Sequence, residues 1–159
     1  MTISPDLARA LEAALRADAP GFDITIRVVD TARRPGQRPA ELVAAALALA
    51  EPPLHLQPVE PAQVLRQLHD SFAGEPGFLI GASAPAGGRG VRDLARELSR
   101  QVARCMRSAV QVHEFWLTQT QALYERERYA WEFAYLFVQP ASATVLIGHS
   151  QAGERAAAP

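Results

Sequence analysis

The sequence predicts an α+β, or mixed α/β, domain, and three observations support this expectation. Helical periodicity and short strand-like runs share the first two-thirds of the chain. From about residue 110 onward the pattern changes to an alternating one. Within that part lies a row of aromatic residues at every second position: Tyr129, Trp131, Phe133, Tyr135 and Phe137. We therefore expect a C-terminal antiparallel three-stranded meander, within one mixed sheet that helices cover.

The first helix and the first strand have clear local signals. Ser4 and Pro5 are suited to the N-cap and the first turn of a helix, and Ala19-Pro20-Gly21 ends it. Apolar and polar residues then alternate from Phe22 to Val28, which is typical of a strand with one face in the core.

Proline and glycine divide the next part of the chain. Pro39 is expected to open a second helix, and Pro61 a third helix that ends at Gly74. The proline-rich stretch between them allows at most an edge strand around Leu54 to Leu56. Residues 77–81 predict a short buried strand.

The longest predicted helix follows a glycine-rich loop at residues 82–90. Its apolar stripe is Val91, Leu94, Leu98, Val102, Cys105 and Met106. Three strands are then expected near residues 110–118, 128–139 and 142–150. We interpret residues 1–150 as one globular domain and residues 151–159 as a disordered tail.

A tight turn at Pro140-Ala141 would fix the register of the last two strands. In that register Phe133 lies across from Gly148, an arrangement in which the ring compensates for the missing side chain. The same register places Glu132 opposite His149.

Composition excludes several kinds of chemistry. All sixteen basic residues are arginine, so lysine Schiff bases and phosphate-binding lysines are excluded. Cys105 is the only cysteine, which excludes an intramolecular disulfide and a cysteine zinc cluster and favours a reducing cytoplasm. No apolar run approaches the roughly 20 residues of a membrane helix. The net charge of -1 argues against nucleic acid as a partner.

Histidines offer one candidate catalytic group. A carboxylate beside an imidazole can orient it and raise its basicity, so Glu132 and His149 would suit a general base. The alternative is a polar pair where the apolar face of the sheet meets water. The four histidines show no metal-ligand spacing, and we assign no metal site.

Positive charge is concentrated on the longest helix. Residues 89–107 contain six arginines and two acidic residues, a local charge of +4. Four of these arginines recur every four residues and form what we call the arginine ridge: Arg92, Arg96, Arg100 and Arg104. Asp93 and Glu97 can each pair with the arginine three positions later. The ridge would bind an acidic or phosphate-bearing partner, and the alternative is a solvated amphipathic helix.

The residues before this helix suggest an anion site. Backbone amides at Gly87, Gly88 and Gly90, flanked by Arg89 and Arg92, would face a helix N-terminus, where anions are favoured.

This loop resembles part of a known enzyme family. Gly88-Arg89-Gly90 before an amphipathic helix is similar to the pyrophosphate loop, Q/R-x-x-G-x-G/A, of the acetyl-CoA-dependent N-acetyltransferase superfamily, although Pro85 occupies the leading position. Residues 122–126 resemble that family's segment with a tyrosine general acid. The resemblance implies an acyl-CoA cofactor at the loop, with Tyr124 protonating the leaving thiolate.

Two functions follow from these patterns. The leading one is a small cytoplasmic accessory protein of bacterial type, non-catalytic and without a cofactor, that binds a protein partner or a second copy of itself. The arginine ridge would carry that contact, together with Trp131 and Tyr135 if part of the aromatic face is exposed. The alternative is a small acyl-CoA-dependent transferase with the cofactor phosphates at residues 81–90.

Overall fold

The computed structural model describes residues 2–53, 55–72, 88–116 and 129–152. Along the chain these residues form α1 (Pro5–Asp18), β1 (Phe22–Ala32), α2 (Pro39–Leu47), β2 (Leu56–Pro58), α3 (Pro61–Phe72), α4 (Gly88–Ser108), β3 (Gln111–Phe115), β4 (Tyr129–Val138) and β5 (Ser142–Ala152). The described part is therefore α+β, with four helices and one five-stranded sheet, as the sequence predicts.

The sheet differs from the expected one in its extent and direction. Its strand order is β1-β5-β4-β3-β2, and every pairing is antiparallel. The expected meander is present as β3, β4 and β5, but β1 and β2 extend it at both edges. The sheet of the described residues is thus antiparallel throughout, which differs in detail from the expected mixed sheet. Strand β5 also continues to Ala152, two residues into the expected tail.

Local signals account for where the helices begin. The side chain of Ser4 accepts a hydrogen bond from the backbone N–H of Leu7 at 3.3 Å and caps α1. Helix α2 has Pro39 in its first turn, and the side chain of Glu41 caps the helix by accepting a hydrogen bond from the backbone N–H of Arg38 at 2.8 Å. Helix α4 begins at Gly88, so the glycines at 88 and 90 belong to its first turn and not to a preceding loop. The predicted strand at 77–81 and the cap at Gly74 lie outside the described residues.

The register of β4 and β5 is the one that the turn predicts. The N–H of Gln139 donates to the carbonyl of Ser142 at 2.8 Å and closes the turn. Phe133 then lies opposite Gly148, and Glu132 lies opposite His149.

Helices cover the aromatic face of the sheet. Phe133, Tyr135 and Phe137 are at most 3% exposed and share one apolar cluster with residues of α1, α3 and α4. On the opposite face, Leu42 and Val43 of α2 join a second cluster with the apolar side chains of β4 and β5. The sheet thus separates two apolar layers, and the aromatic stripe forms the centre of the larger one.

Strand β1 is an edge strand that is partly closed by side chains of α1. The N–H of Ile26 donates to Glu12 Oε2 at 2.8 Å. Arg16 Nε donates to the carbonyl of Ile24, also at 2.8 Å. These two bonds occupy backbone groups that would otherwise be free to pair with another chain. Among the described helices, none is both long and apolar enough to cross a membrane.

Candidate functional site

Helix α4 presents the arginine ridge to solvent. Val91, Leu98, Val102 and Cys105 are buried, whereas all four ridge arginines are exposed. At about 100° per residue, the ridge spans an arc of about 120° on the side opposite this buried stripe. Arg107, also exposed, falls within the same arc. Burial of one face of α4 therefore fixes the arginines on its outer face.

Most of the ridge has no carboxylate partner within the described residues. Arg100 Nε lies 3.3 Å from Glu97 Oε2, which confirms one of the two expected ion pairs. For Arg92, Arg96 and Arg104, no ion pair is formed with any described residue, so the expected pair of Asp93 with Arg96 is not found there. Within the part of the chain that the structure describes, three of the four ridge guanidinium groups thus have no carboxylate partner.

Hydrogen bonds hold α4 against α1. Glu97 accepts from Gln101 Nε2 at 3.2 Å, and Gln101 Oε1 in turn accepts from the backbone N–H of Ser4 at 2.8 Å. Because this chain of bonds reaches the N-cap of α1, it positions the ridge on a rigid support.

The predicted anion site is only partly within the described residues. Gly87 lies outside them, and Gly88, Arg89 and Gly90 form the start of α4, followed by the exposed Arg92. The first N–H groups of a helix have no partner within it. The anion site therefore stays a prediction.

The structure buries one of the predicted partner contacts. Tyr135 has no exposed surface, and its hydroxyl donates a hydrogen bond to Gln67 Oε1. Burial and the nearby charge of Glu114 raise the pKa of this hydroxyl well above its usual value. Trp131 lies in β4 opposite Ser150. Tyr135 thus serves as a packed core residue, and its burial does not favour the predicted contact.

The candidate pair Glu132 and His149 occupies the predicted positions. The two residues lie directly opposite each other on neighbouring strands. Burial lowers the pKa of His149, while the charges of Asp23 and Glu12 oppose this shift. A neutral imidazole at pH 7 suits a base, but a catalytic role stays a prediction. Tyr124 lies outside the described residues. Within the described residues, no group of three potential ligands is placed to hold a metal ion.

A cleft that the sequence does not predict opens between β3 and β4. The two strands pair only from Gln111 opposite Val138 to Glu114 opposite Tyr135. Beyond that point lies a cleft of about 360 Å³. Its lining residues are Gln67, Glu114, Phe115, Trp116, Glu132, Phe133, Ala134 and Tyr135.

Gln67 of α3 joins this cleft to the sheet. Its Nε2 donates to the backbone carbonyl of Glu132 at 3.2 Å, and its Oε1 accepts from Tyr135. One side chain thus satisfies two groups at the point where β3 no longer pairs with β4. The sequence offers only a weak signal for it, a glutamine beside the buried Leu68.

Comparisons with protein-family models, curated proteins and solved structures find no significant match. The candidate site therefore depends on its geometry alone. Of the features described above, the arginine ridge combines exposure, charge and a rigid support.

One buried and one half-buried histidine, His113 and His149, predict a pH-dependent stability. Burial lowers the pKa of both His113 and His149 from the ordinary 6.5. His113 Nε2 lies 3.1 Å from Gln111 Oε1, and no described residue is a hydrogen-bond partner of its Nδ1. Below a pH of about 6.5 these two imidazoles bind protons in the unfolded chain, whereas in the folded protein they stay neutral to a lower pH. We therefore expect the free energy of unfolding to fall as the pH drops.

Urea denaturation between pH of about 7.5 and 5.5 would measure this effect, since carboxylates stay ionised in that range. His113→Gln should reduce the slope of stability against pH. A stability that is flat across this range, or a slope that the substitution leaves unchanged, would contradict the interpretation.

Proposed function

We propose that this protein is a non-catalytic binding module that docks an acidic or phosphate-bearing macromolecular partner along the arginine ridge of α4. The observation that carries the proposal is the exposed row of arginines on a helix whose opposite face is buried. Three of the four have no carboxylate partner among the described residues. An arginine of this kind presents planar N–H donors that suit carboxylate and phosphate groups.

The distribution of charge supports this surface over others. Residues 89–107 carry +4, and because the whole chain carries -1, the other 140 residues carry -5. Charges on a surface act over a Debye length of about 8 Å at physiological ionic strength, so an anionic partner responds to the local field of α4 more than to the net charge.

Location and partner type are parts of the same proposal. The single cysteine, Cys105, is buried and free, which suits a cytoplasmic protein. A protein partner is favoured over nucleic acid because the residues outside 89–107 carry -5 and would repel a polyanion that extends beyond α4. A second copy of this chain remains an alternative partner.

Charge reversal on the ridge tests the proposal. Two fluorescent probes, polyglutamate and inorganic polyphosphate, should bind the wild-type protein with an affinity that falls as NaCl is raised. Arg96→Glu/Arg100→Glu should lower the affinity for the tighter-binding probe by about tenfold or more, because two attractive contacts become repulsive. The free energy of unfolding should change by less than about 1 kcal/mol, since both side chains are exposed.

The matched control is Arg27→Glu/Arg66→Glu. Both of these arginines are exposed, lie outside α4 and form no ion pair with described residues, so the control makes the same charge change elsewhere. Equal losses in both double variants, or unchanged binding by the ridge variant, would reject the proposal. Millimolar coenzyme A in a thermal-shift measurement would raise the midpoint if the transferase alternative holds.

A further inference from the structure

The C-terminal end of α4 meets the loop after β1 at the turn between β4 and β5. Gln139 Nε2 donates to Ser108 Oγ at 3.2 Å, at the last residue of α4. The backbone carbonyl of Gln139 accepts from Arg33 Nη1 at 3.1 Å. The N–H of Arg33 also donates to the carbonyl of Ala141 at 3.0 Å. One residue of the turn therefore holds both segments together.

This junction extends the positive surface beyond α4. Arg104 and Arg107 are exposed near the end of the helix, and Arg34 is exposed in the adjoining loop beside the half-buried Arg33. One acidic residue of β1, Asp30, is engaged there, since its Oδ1 accepts from Thr144 Oγ1 at 2.6 Å. Arginines thus outnumber this carboxylate at the junction. The positive charges of these arginines also interact favourably with the negative, C-terminal end of the α4 dipole.

The spacing of the ridge indicates the form of a matching partner. Arginines four residues apart advance by about 6 Å along the helix axis. Carboxylates four residues apart on a second helix advance by the same distance. Because both rows also turn by about 40° per step, successive ion pairs stay in step where the second helix coils around α4. From Arg92 to Arg107 the match would extend over about 22 Å.

Charge outside this surface disfavours a long polyanion. Because the 140 residues outside 89–107 carry -5, a partner that extends beyond the positive surface meets repulsion. Duplex DNA carries a phosphate every 3.4 Å or so along each strand and continues past any single binding site. A short acidic segment can instead be confined to the arginines.

We infer that the partner is a short acidic helical segment of a protein, which lies along the arginine ridge and ends against Arg33 and Arg34. This inference rests on the proposed function and specifies its partner.

Binding of defined probes to the full chain tests it. One labelled alanine-based peptide of about 22 residues carries glutamate at every fourth position, matching the helical repeat. A second peptide has the same composition with its glutamates gathered at one end. A DNA duplex of about 12 base pairs, compared at an equal concentration of negative charge, serves as the third probe. We expect the regular peptide to bind at least about fivefold more tightly than either of the other two.

Variants of the loop test the extended surface. Arg33→Glu/Arg34→Glu should lower the affinity for the regular peptide by about three- to tenfold. Arg34→Glu alone, which keeps the Arg33 contact to Gln139, should weaken it in the same direction. Arg27→Glu/Arg66→Glu should leave binding within about twofold of wild type.

The outcomes separate this inference from the proposed function. If ridge variants lose binding but both loop variants bind as wild type, the extended surface is wrong and the proposed function stands. If the clustered peptide or the duplex binds as tightly as the regular peptide, the acidic helix is wrong. If no probe binds, the proposed function fails as well.

Discussion

Replacing Gly148 with alanine is expected to lower the free energy of unfolding by about 2–4 kcal/mol. A methyl group at this position would lie 2.3 Å from Phe133 Cζ and 2.7 and 2.8 Å from the neighbouring ring carbons. The ring has little room to move, because Phe72 packs edge-on against it at a centroid distance of 5.8 Å and Tyr135 stacks on it at 6.0 Å. Relief would therefore require the strands themselves to shift. Chemical denaturation of the single variant measures the loss.

Two further variants distinguish a clash with the Phe133 ring from a general sensitivity of β5 to substitution. Ser150→Ala lies on the same strand and the same face, and it removes a fully buried hydroxyl that has no hydrogen-bond partner among the described residues. We expect that change to be nearly neutral. Phe133→Leu combined with Gly148→Ala should cost less than the sum of the two single substitutions. Additive losses would show that the ring and the glycine are not coupled.

Gln67→Leu is expected to cost about 2–4 kcal/mol. The substitution keeps the volume of the side chain approximately but removes both of its hydrogen bonds. The hydroxyl of Tyr135, in a residue with no exposed surface, loses its acceptor, and the carbonyl of Glu132 loses a donor. The buried hydroxyl of Tyr135 would then have lost its hydrogen bonds to water without an acceptor to replace them.

The control for this prediction is Gln63→Leu, the same change at an exposed position of α3. It should alter stability by less than about 0.5 kcal/mol. In a double-mutant cycle, Tyr135→Phe should be less harmful when Gln67 is already leucine, because the unsatisfied hydroxyl is then removed. A Gln67→Leu variant as stable as the control would show that the bonds at the cleft contribute little.

Local pattern predicted the elements and one register well. The proline at 140 and the alternation on either side of it were enough to place Phe133 over Gly148, because a shift of one residue would have turned every core side chain to the wrong face. The arginine ridge followed from spacing in the same way. A helix with one apolar stripe buries that stripe and exposes the opposite face, whichever part of the protein the stripe packs against.

Long-range arrangement could not be predicted from the same patterns. The alternation in β1 indicates a strand with one buried face, but it carries no information that its neighbour is β5. The cleft depends on where the pairing of β3 with β4 ends, and Gln67 gains its role only because α3 crosses that point. The contact of Arg33 with Gln139, which also bonds to the end of α4, likewise depends on the β1–β5 register.

The closed edge of β1 has a consequence for how the chain folds. The strand that pairs with β1 is β5, which begins only at Ser142. Strand β1 can therefore form this pairing only after β5 has been synthesised. Glu12 and Arg16 reach its backbone from only 14 and 8 residues away. Such short loops close long before distant strands meet. We therefore expect α1 to occupy part of the outer edge of β1 before β5 is available, and so to reduce aggregation of the growing chain.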